Sequence, residues 1–225
     1  MKVNTIELNT LKSIAYFSGL SPAELEAVKR LVFEKAVAKG EIVVFEGEPA
    51  RELYFAVSGV VRTFKISADG KEQVIALVRP FESFNDIPVF GAGVNLTSAL
   101  AMSNIILYGI KKSDMETVLR NNPKVAQNTI GVLSQRIEHL TLLVEDLSFR
   151  HVTSRVAKIL LEYAADGTGQ KARLTQQDMA AMAGTAREMV GRSLKTLEAE
   201  GTIKLAHHRV IVTDLRALRQ VAGVN

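Results

Sequence analysis

Leu174-Thr-Gln-Gln-Asp-Met-Ala-Ala-Met-Ala-Gly-Thr-Ala-Arg-Glu-Met-Val-Gly-Arg-Ser-Leu-Lys-Thr-Leu-Glu-Ala-Glu-Gly201 is the stretch on which the reading of this chain turns. Thr175 is a good helix N-cap, and Asp178 three residues on makes a weaker relative of the capping box. Met179, Met182 and Ala183 give the helix that follows an inward face, while Ala180 and Ala181 allow close approach of a neighbour. Gly184 supplies a turn. A second helix, from about residue 186, is expected to bury Met189, Val190, Leu194 and Leu197. Two short amphipathic helices joined at a glycine, with small residues where they touch, spell a helix-turn-helix.

On the second helix Arg187, Glu188 and Arg192 lie off the apolar stripe, in the turns that would enter a major groove. Arginine can take both acceptors of guanine and glutamate can accept from the cytosine amino group, so this trio has the chemistry to read a G/C-containing half-site. The plainer alternative is that Glu188 and Arg192, four residues apart, form a solvated ion pair. Thr175, Thr185 and Lys195 are candidates for the DNA backbone. The next run, 201–213, alternates in two short pieces around His207-His208-Arg209, which predicts a hairpin wing with a basic tip and adds these three as backbone contacts. Neighbouring strand residues face opposite ways, so the two histidines are poorly placed to chelate one metal.

Upstream, Thr153 opens a helix over 153–165 with Val156, Ile159, Leu160 and Tyr163 on one face. Before it runs a long helix from near Pro123, in which Ile130, Leu133, Ile137, Leu140, Val144 and Leu147 are spaced 3, 4, 3, 4, 3. That is an a/d heptad seam, which buries best against an equivalent helix of a second chain and predicts a homodimer. Packing of the stripe on the chain's own N-terminal domain is the alternative, and Leu142 and Leu143 widen the apolar face enough for both.

The N-terminal part opens with a helix over 21–33, capped by Ser21 with Pro22 at its first position and Leu25, Val28 and Leu31/Val32 on its inner stripe. Short β-branched and aromatic runs follow at 41–46, 52–58, 60–67, 72–78, 97–102 and 105–111, broken by Gly47-Glu48-Pro49, Ser58-Gly59 and the Asp69-Gly70 hairpin turn. Many short strands mean a sandwich, roll or barrel, and a β-roll is placed at about 40–112. The class is α+β. The division expected is an effector-sensing β-roll domain over 1–121, a dimerisation helix and hinge over 122–150, and a winged helix-turn-helix over 151–225.

Composition removes whole classes of function. The chain has no cysteine, which excludes disulfides, thiolate zinc, iron–sulfur clusters and thiol sensing. All four histidines lie at or after His139, outside the roll, so a cupin-like metal enzyme has no ligands there; His139 and His151 are read as surface or interfacial residues. No catalytic constellation stands out, and no enzyme is expected. Before residue 147 the charges nearly balance, but after it 12 Lys/Arg face 7 Asp/Glu, a net +5 that fits a polyanionic partner. The longest apolar runs, 74–78 and 105–110, are far short of the roughly 20 residues a bilayer needs, and an acid at Glu7 argues against export, so a cytoplasmic protein without a membrane partner is expected.

With these pieces in order the chain resembles the cyclic-AMP receptor protein/FNR family of bacterial transcription regulators over nearly its whole length. The resemblance is carried by Phe17-Ser-Gly-Leu-Ser, Gly40-Glu-Ile-Val-Val-Phe-Glu-Gly-Glu-Pro, Leu53-Tyr-Phe-Ala-Val-Ser-Gly, the Asp69-Gly-Lys-Glu hairpin and, most specifically, Arg187-Glu-Met-Val-Gly-Arg192. It implies a jelly-roll-like domain of cyclic-nucleotide-binding type, paired long helices and an allosteric effector. It also implies base reading by Arg187, Glu188 and Arg192 on a palindromic operator with TGTGA-like half-sites, and contact with RNA polymerase. The effector pocket implied would be lined by Phe84, Asn85, Asp86, Asn95, Thr97 and Ser98, closed by Leu140 and Thr141 of the long helix.

One departure matters. Members that bind cyclic nucleotides carry Gly-Glu and then Arg-Ser/Thr-Ala in this segment, whereas here Asn85-Asp86 replaces Gly-Glu and no arginine lies between Arg79 and Lys111. A buried phosphodiester without that cation would be unpaired, which argues against cyclic AMP and for a neutral or weakly polar effector. Two readings remain beside the leading one: a regulator that binds DNA without a ligand, and a sensor module acting through protein contacts.

Overall fold

The computed structural model describes residues 6–91, 93–165, 175–206 and 209–224. The chain divides into two compact units, one of residues up to Lys65 with Ile75–Leu140, the other of Ile66–Val74 with Thr141 onward.

The first unit is built on two four-stranded antiparallel sheets. After α1 (Leu8–Ser13), a 3-10 turn (Ala15–Phe17) and α2 (Pro22–Lys29) come β1 (Val32–Val37), β2 (Ile42–Val44), β3 (Glu52–Ser58), β4 (Val61–Ile66), β5 (Glu72–Val78), β6 (Ser83–Phe84), α3 (Asp86–Phe90), β7 (Ser98–Ala101), β8 (Ile105–Lys111) and α4 (Lys112–Asn121). The sheets run β1-β8-β3-β6 and β2-β7-β4-β5, so the β-roll read from the turn spacing is present. Ser21 and Glu24 form the full capping box, each side chain answering the other's backbone N–H. Hydrogen bonding to the serine holds the exposed Glu24 carboxyl below its ordinary pKa.

The helix expected over 21–33 stops at Lys29. Val32 and Phe33 instead open β1, paired with Ile110 and Gly109 of β8. The reason is tertiary: the Phe33 ring packs over Gly109 of the paired strand, its tip 2.3 Å from where a Cβ on that glycine would sit, so a larger residue there would push the ring aside.

Two apolar clusters fill the unit. Leu11, Ile14, Tyr16, Phe17, Leu53, Phe55, Ile110 and Met115 pack under the N-terminal helices, with the Tyr16 and Phe17 rings edge-on to Phe55, each at 5.4 Å. Val37, Tyr54, Ala56, Phe84, Ala99 and Leu107 fill the space between the sheets, where Tyr54 and Phe84 stack at 5.3 Å.

α5 (Pro123–Phe149) carries two separate stripes. Val125 and Thr129 are buried, Val132 packs on the same cluster, and polar side chains continue the row. Asn128 donates to the Tyr16 and Ser18 carbonyls at 3.0 and 2.8 Å, Arg136 Nη2 to the Ser83 carbonyl at 2.8 Å, and His139 Nε2 lies 3.0 Å from the Ile75 carbonyl. The heptad seam lies one residue on, about 100° around the helix. Ile130, Ile137 and Val144 are 66, 66 and 63% exposed in the single chain. Leu147 is also exposed, and Leu133 and Leu140 are half-buried. The helix is therefore held to its own roll by a stripe other than the seam.

The second unit contains the end of α5, then α6 (Val152–Ala165), α7 (Gln176–Ala183), α8 (Arg187–Ala199), β9 (Ile203–Ala206), β10 (Arg209–Val212) and α9 (Leu215–Ala222). Val156, Ile159, Leu160, Met179, Val190, Leu194, Leu197, Ile203 and Leu218 form its core. No helix among the described residues is long and apolar enough to cross a membrane.

Candidate functional site

α7 and α8 make the helix-turn-helix. Thr175 Oγ1 accepts from Asp178 N at 3.1 Å, and Asp178 Oδ2 accepts from Thr175 N at 3.0 Å, so the cap read from sequence is a complete box. Gly184 ends α7 in the left-handed region at φ 60, where Thr185 N reaches back to the Ala180 carbonyl at 3.0 Å. A Cβ on Gly184 would also lie 2.6 Å from Leu147 Cδ2, a side-chain end that can shift, so it is the left-handed backbone that selects glycine.

α8 buries Val190, Ser193, Leu194 and Leu197, which fixes the opposite face outward. Glu188, Arg192 and Lys195 are exposed on it; Arg187, which the helical period places near Leu194, is exposed because it opens the first turn, and Thr185 is half-buried just before it. Among the described residues Glu188 and Arg192 form no ion pair; Arg192 Nη1 instead lies 4.0 Å from Met189 Sδ. Met189 corrects the sequence reading. Expected in the core, it is 37% exposed. The apolar stripe runs through Val190, Leu194 and Leu197, and a residue one step earlier falls about 100° away from it.

The wing is braced by α8. Thr202 is buried and donates through Oγ1 to the Leu197 carbonyl at 2.8 Å, and Leu205 N donates to Glu198 Oε1 at 2.7 Å. β9 and β10 pair antiparallel with Arg209 opposite Ala206. His207 and His208 lie outside the described residues, as does the side chain of Arg209.

Cations at helix C-termini tie this unit together. Arg155 donates through Nε to the Ala183 carbonyl at the end of α7 (2.7 Å) and through Nη1 to the Arg150 carbonyl after α5 (2.7 Å). Arg150 reaches the Ala222 carbonyl at the end of α9 and pairs through Nε with Asp146 Oδ1 at 2.7 Å, while Lys158 pairs with the other oxygen of Asp146. Arg155 and Arg150 thus each meet the negative end of a helix dipole as well as a carbonyl lone pair.

In the proposed effector segment most polar groups have partners within the first unit. Asn85, left-handed at φ 65, donates to the Glu52 carbonyl at 3.0 Å. Asn95 is buried and donates to the Phe45 carbonyl at 3.0 Å; its Oδ1 is buried and has no hydrogen bond among the described residues. Ser98 Oγ accepts from Glu46 N at 3.0 Å, Phe84 is buried against Tyr54, and Thr97 is half-buried. Leu140 is half-buried and Thr141 exposed.

Asp86 is the centre of a buried node. Its Oδ2 accepts from Ser83 Oγ (3.0 Å), Arg136 Nη2 (3.3 Å) and Tyr16 OH (3.4 Å), and its Oδ1 from Ile87 N (3.0 Å). Burial, and then the neighbouring carboxylate, push the Tyr16 phenol far up, so it stays a donor. Sequence reasoning missed Tyr16, Ser83 and Arg136. The available signal was a lone cation on the 125/129/132/136 stripe of α5, which requires a buried acceptor, with Asp86 the one carboxylate in 84–99.

Comparison with known proteins agrees with this architecture. The cyclic nucleotide-binding domain family matches residues 34–122 and the Crp-like helix-turn-helix domain family matches 154–221. The Cyclic AMP receptor protein of Thermus thermophilus is 30% identical over 212 residues, covering 94% of this chain and 98% of that protein. The CRP-like cAMP-activated global transcriptional regulator of Mycobacterium tuberculosis is 27% identical, covering 92% and 95%. A solved CRP-family transcriptional regulator of Thermus thermophilus superposes with a TM-score of 0.71 at 25% identity, covering 84% and 96%. The chain belongs to the CRP/FNR family of DNA-binding transcription regulators.

Proposed function

We propose that the protein is a homodimeric regulator that reads a palindromic operator with TGTGA-like half-sites and is controlled through its β-roll by a small effector other than cyclic AMP. The observation carrying this reading is the exposure of Glu188 and Arg192 on the face of α8 opposite its buried stripe, with Arg187 exposed at the start of the same helix. The half-sites would be centred about one helical turn, ~34 Å, apart. Thr175, Thr185, Lys195 and the wing residues His207, His208 and Arg209 contact the backbone in this reading. RNA polymerase is the further protein partner, in the cytoplasm.

The test is a gel shift with a selected operator and with random DNA. Arg192→Ala is expected to lose about 1–3 kcal/mol on the operator and relax preference at one base pair, while Arg209→Ala weakens both DNAs alike. Equal losses on both DNAs for Arg192→Ala would defeat the assignment.

The effector part rests on the lack of a cation between Arg79 and Lys111, and on Arg136 being engaged by Asp86 and the Ser83 carbonyl. Calorimetry with cyclic AMP and cyclic GMP should show no binding at millimolar concentration, and operator affinity should be indifferent to both. A micromolar dissociation constant for either overturns it. A second reading, binding DNA with no ligand, is favoured by the internal partners of Asn85 and Asn95, whose side-chain amides each already donate to a backbone carbonyl.

A further inference from the structure

We propose that Met189 is a specificity-determining residue that reads a thymine through its 5-methyl group, at the base pair next to the one read by Arg192. The inference rests on the DNA-reading role of α8 given above and adds a residue to it. Met189 is the third residue of α8, in the turn that reaches base edges, and it is 37% exposed although methionine is usually buried. At 100° per residue it lies about 60° around the helix from Arg192, at the flank of the outward face that Glu188, Arg192 and Lys195 form. The contact between Arg192 Nη1 and Met189 Sδ, 4.0 Å, places the two side chains together.

The chemistry selects the ligand. Methionine has no donor and no charge, so it gains little from a phosphate oxygen or from the polar base edges. The one apolar group a base presents in the major groove is the thymine methyl. An unbranched, polarisable side chain adapts to such a small target without a fixed rotamer. Met189 is not among the buried residues of α8, which are Val190, Ser193, Leu194 and Leu197.

The experiment uses the full chain and an operator selected by it from random duplex DNA at low salt. Each thymine is replaced in turn by uracil, which removes only the 5-methyl group. Wild-type protein should lose about fourfold in affinity at one thymine per half-site, the value expected for one buried methyl. Met189→Ala should bind the thymine and uracil operators equally at that position, and Met189→Leu should restore the preference. Because no charge is involved, Met189→Ala should leave the salt dependence of binding unchanged.

A uracil scan that is flat in the wild type, or a uracil effect that survives in Met189→Ala, overturns the proposal while leaving Arg192 as a base reader intact. Failure of the wild type to enrich any sequence overturns both together. Thermal melts of Met189→Ala matching the wild type would tie the affinity change to the contact rather than to folding.

Discussion

Ile137→Glu is expected to convert the protein to a monomer and to lower operator affinity by a factor on the order of 10²–10⁴, the usual worth of linking two weak sites. The side chain is two-thirds exposed in the single chain, so glutamate there meets water and the monomer keeps its fold. The stripe that holds α5 to the roll, Val125, Asn128, Thr129, Arg136 and His139, is untouched. In a dimer pairing the seams of two helices, by contrast, the carboxylate would be buried without a partner and would face its own copy across the two-fold axis. Sedimentation gives the mass and a gel shift the affinity. An Ile137→Glu protein that still sediments as a dimer would show that the seam is not the interface, whatever its spacing.

The exposure of Ile130, Ile137 and Val144 bears on how far this protein could be read from its sequence. The heptad spacing gave the apolar row but left two surfaces it could cover, because periodicity records which residues share a face and not what covers them. The strands at 52–58, 72–78 and 105–111 were readable because turn residues bound them and β-branched residues fill them. β1 was not, because Leu31-Val32-Phe33 continues the helical period of α2 and only the pairing of Phe33 with Gly109 decides for strand. The helix-turn-helix was readable almost whole, since its caps and its αL glycine are local signals. Met189 was misplaced because an apolar residue beside an apolar stripe is assigned inward by type, and only the wheel position corrects it. Asp86 was read as a pocket residue, but its hydrogen-bond partners could not be read, because Tyr16 and Arg136 are 70 and 50 residues away in the chain.

Asp86→Ala is expected to destabilise the first unit by about 3 kcal/mol, the lower end of the range for breaking a buried ion pair, because the Arg136 side chain keeps 21% of its surface in water. The substitution takes the acceptor from Ser83 Oγ, from Tyr16 OH and from the guanidinium together, leaving Arg136 only the Ser83 carbonyl. For a chain of this size the melting temperature should fall by roughly 6–12 °C. Asp86→Asn keeps the shape and an oxygen acceptor but not the charge, and should fall between. The informative variant is the double one: Arg136→Met removes the stranded cation while keeping much of the apolar stem. Asp86→Ala with Arg136→Met should therefore be more stable than the two single losses added together, with a coupling of about 1–3 kcal/mol. Denaturant unfolding of all four proteins supplies the cycle. Strict additivity would mean that Arg136 is not held by Asp86, which would make its guanidinium available to an anionic ligand and reopen the case for a cyclic nucleotide in the roll.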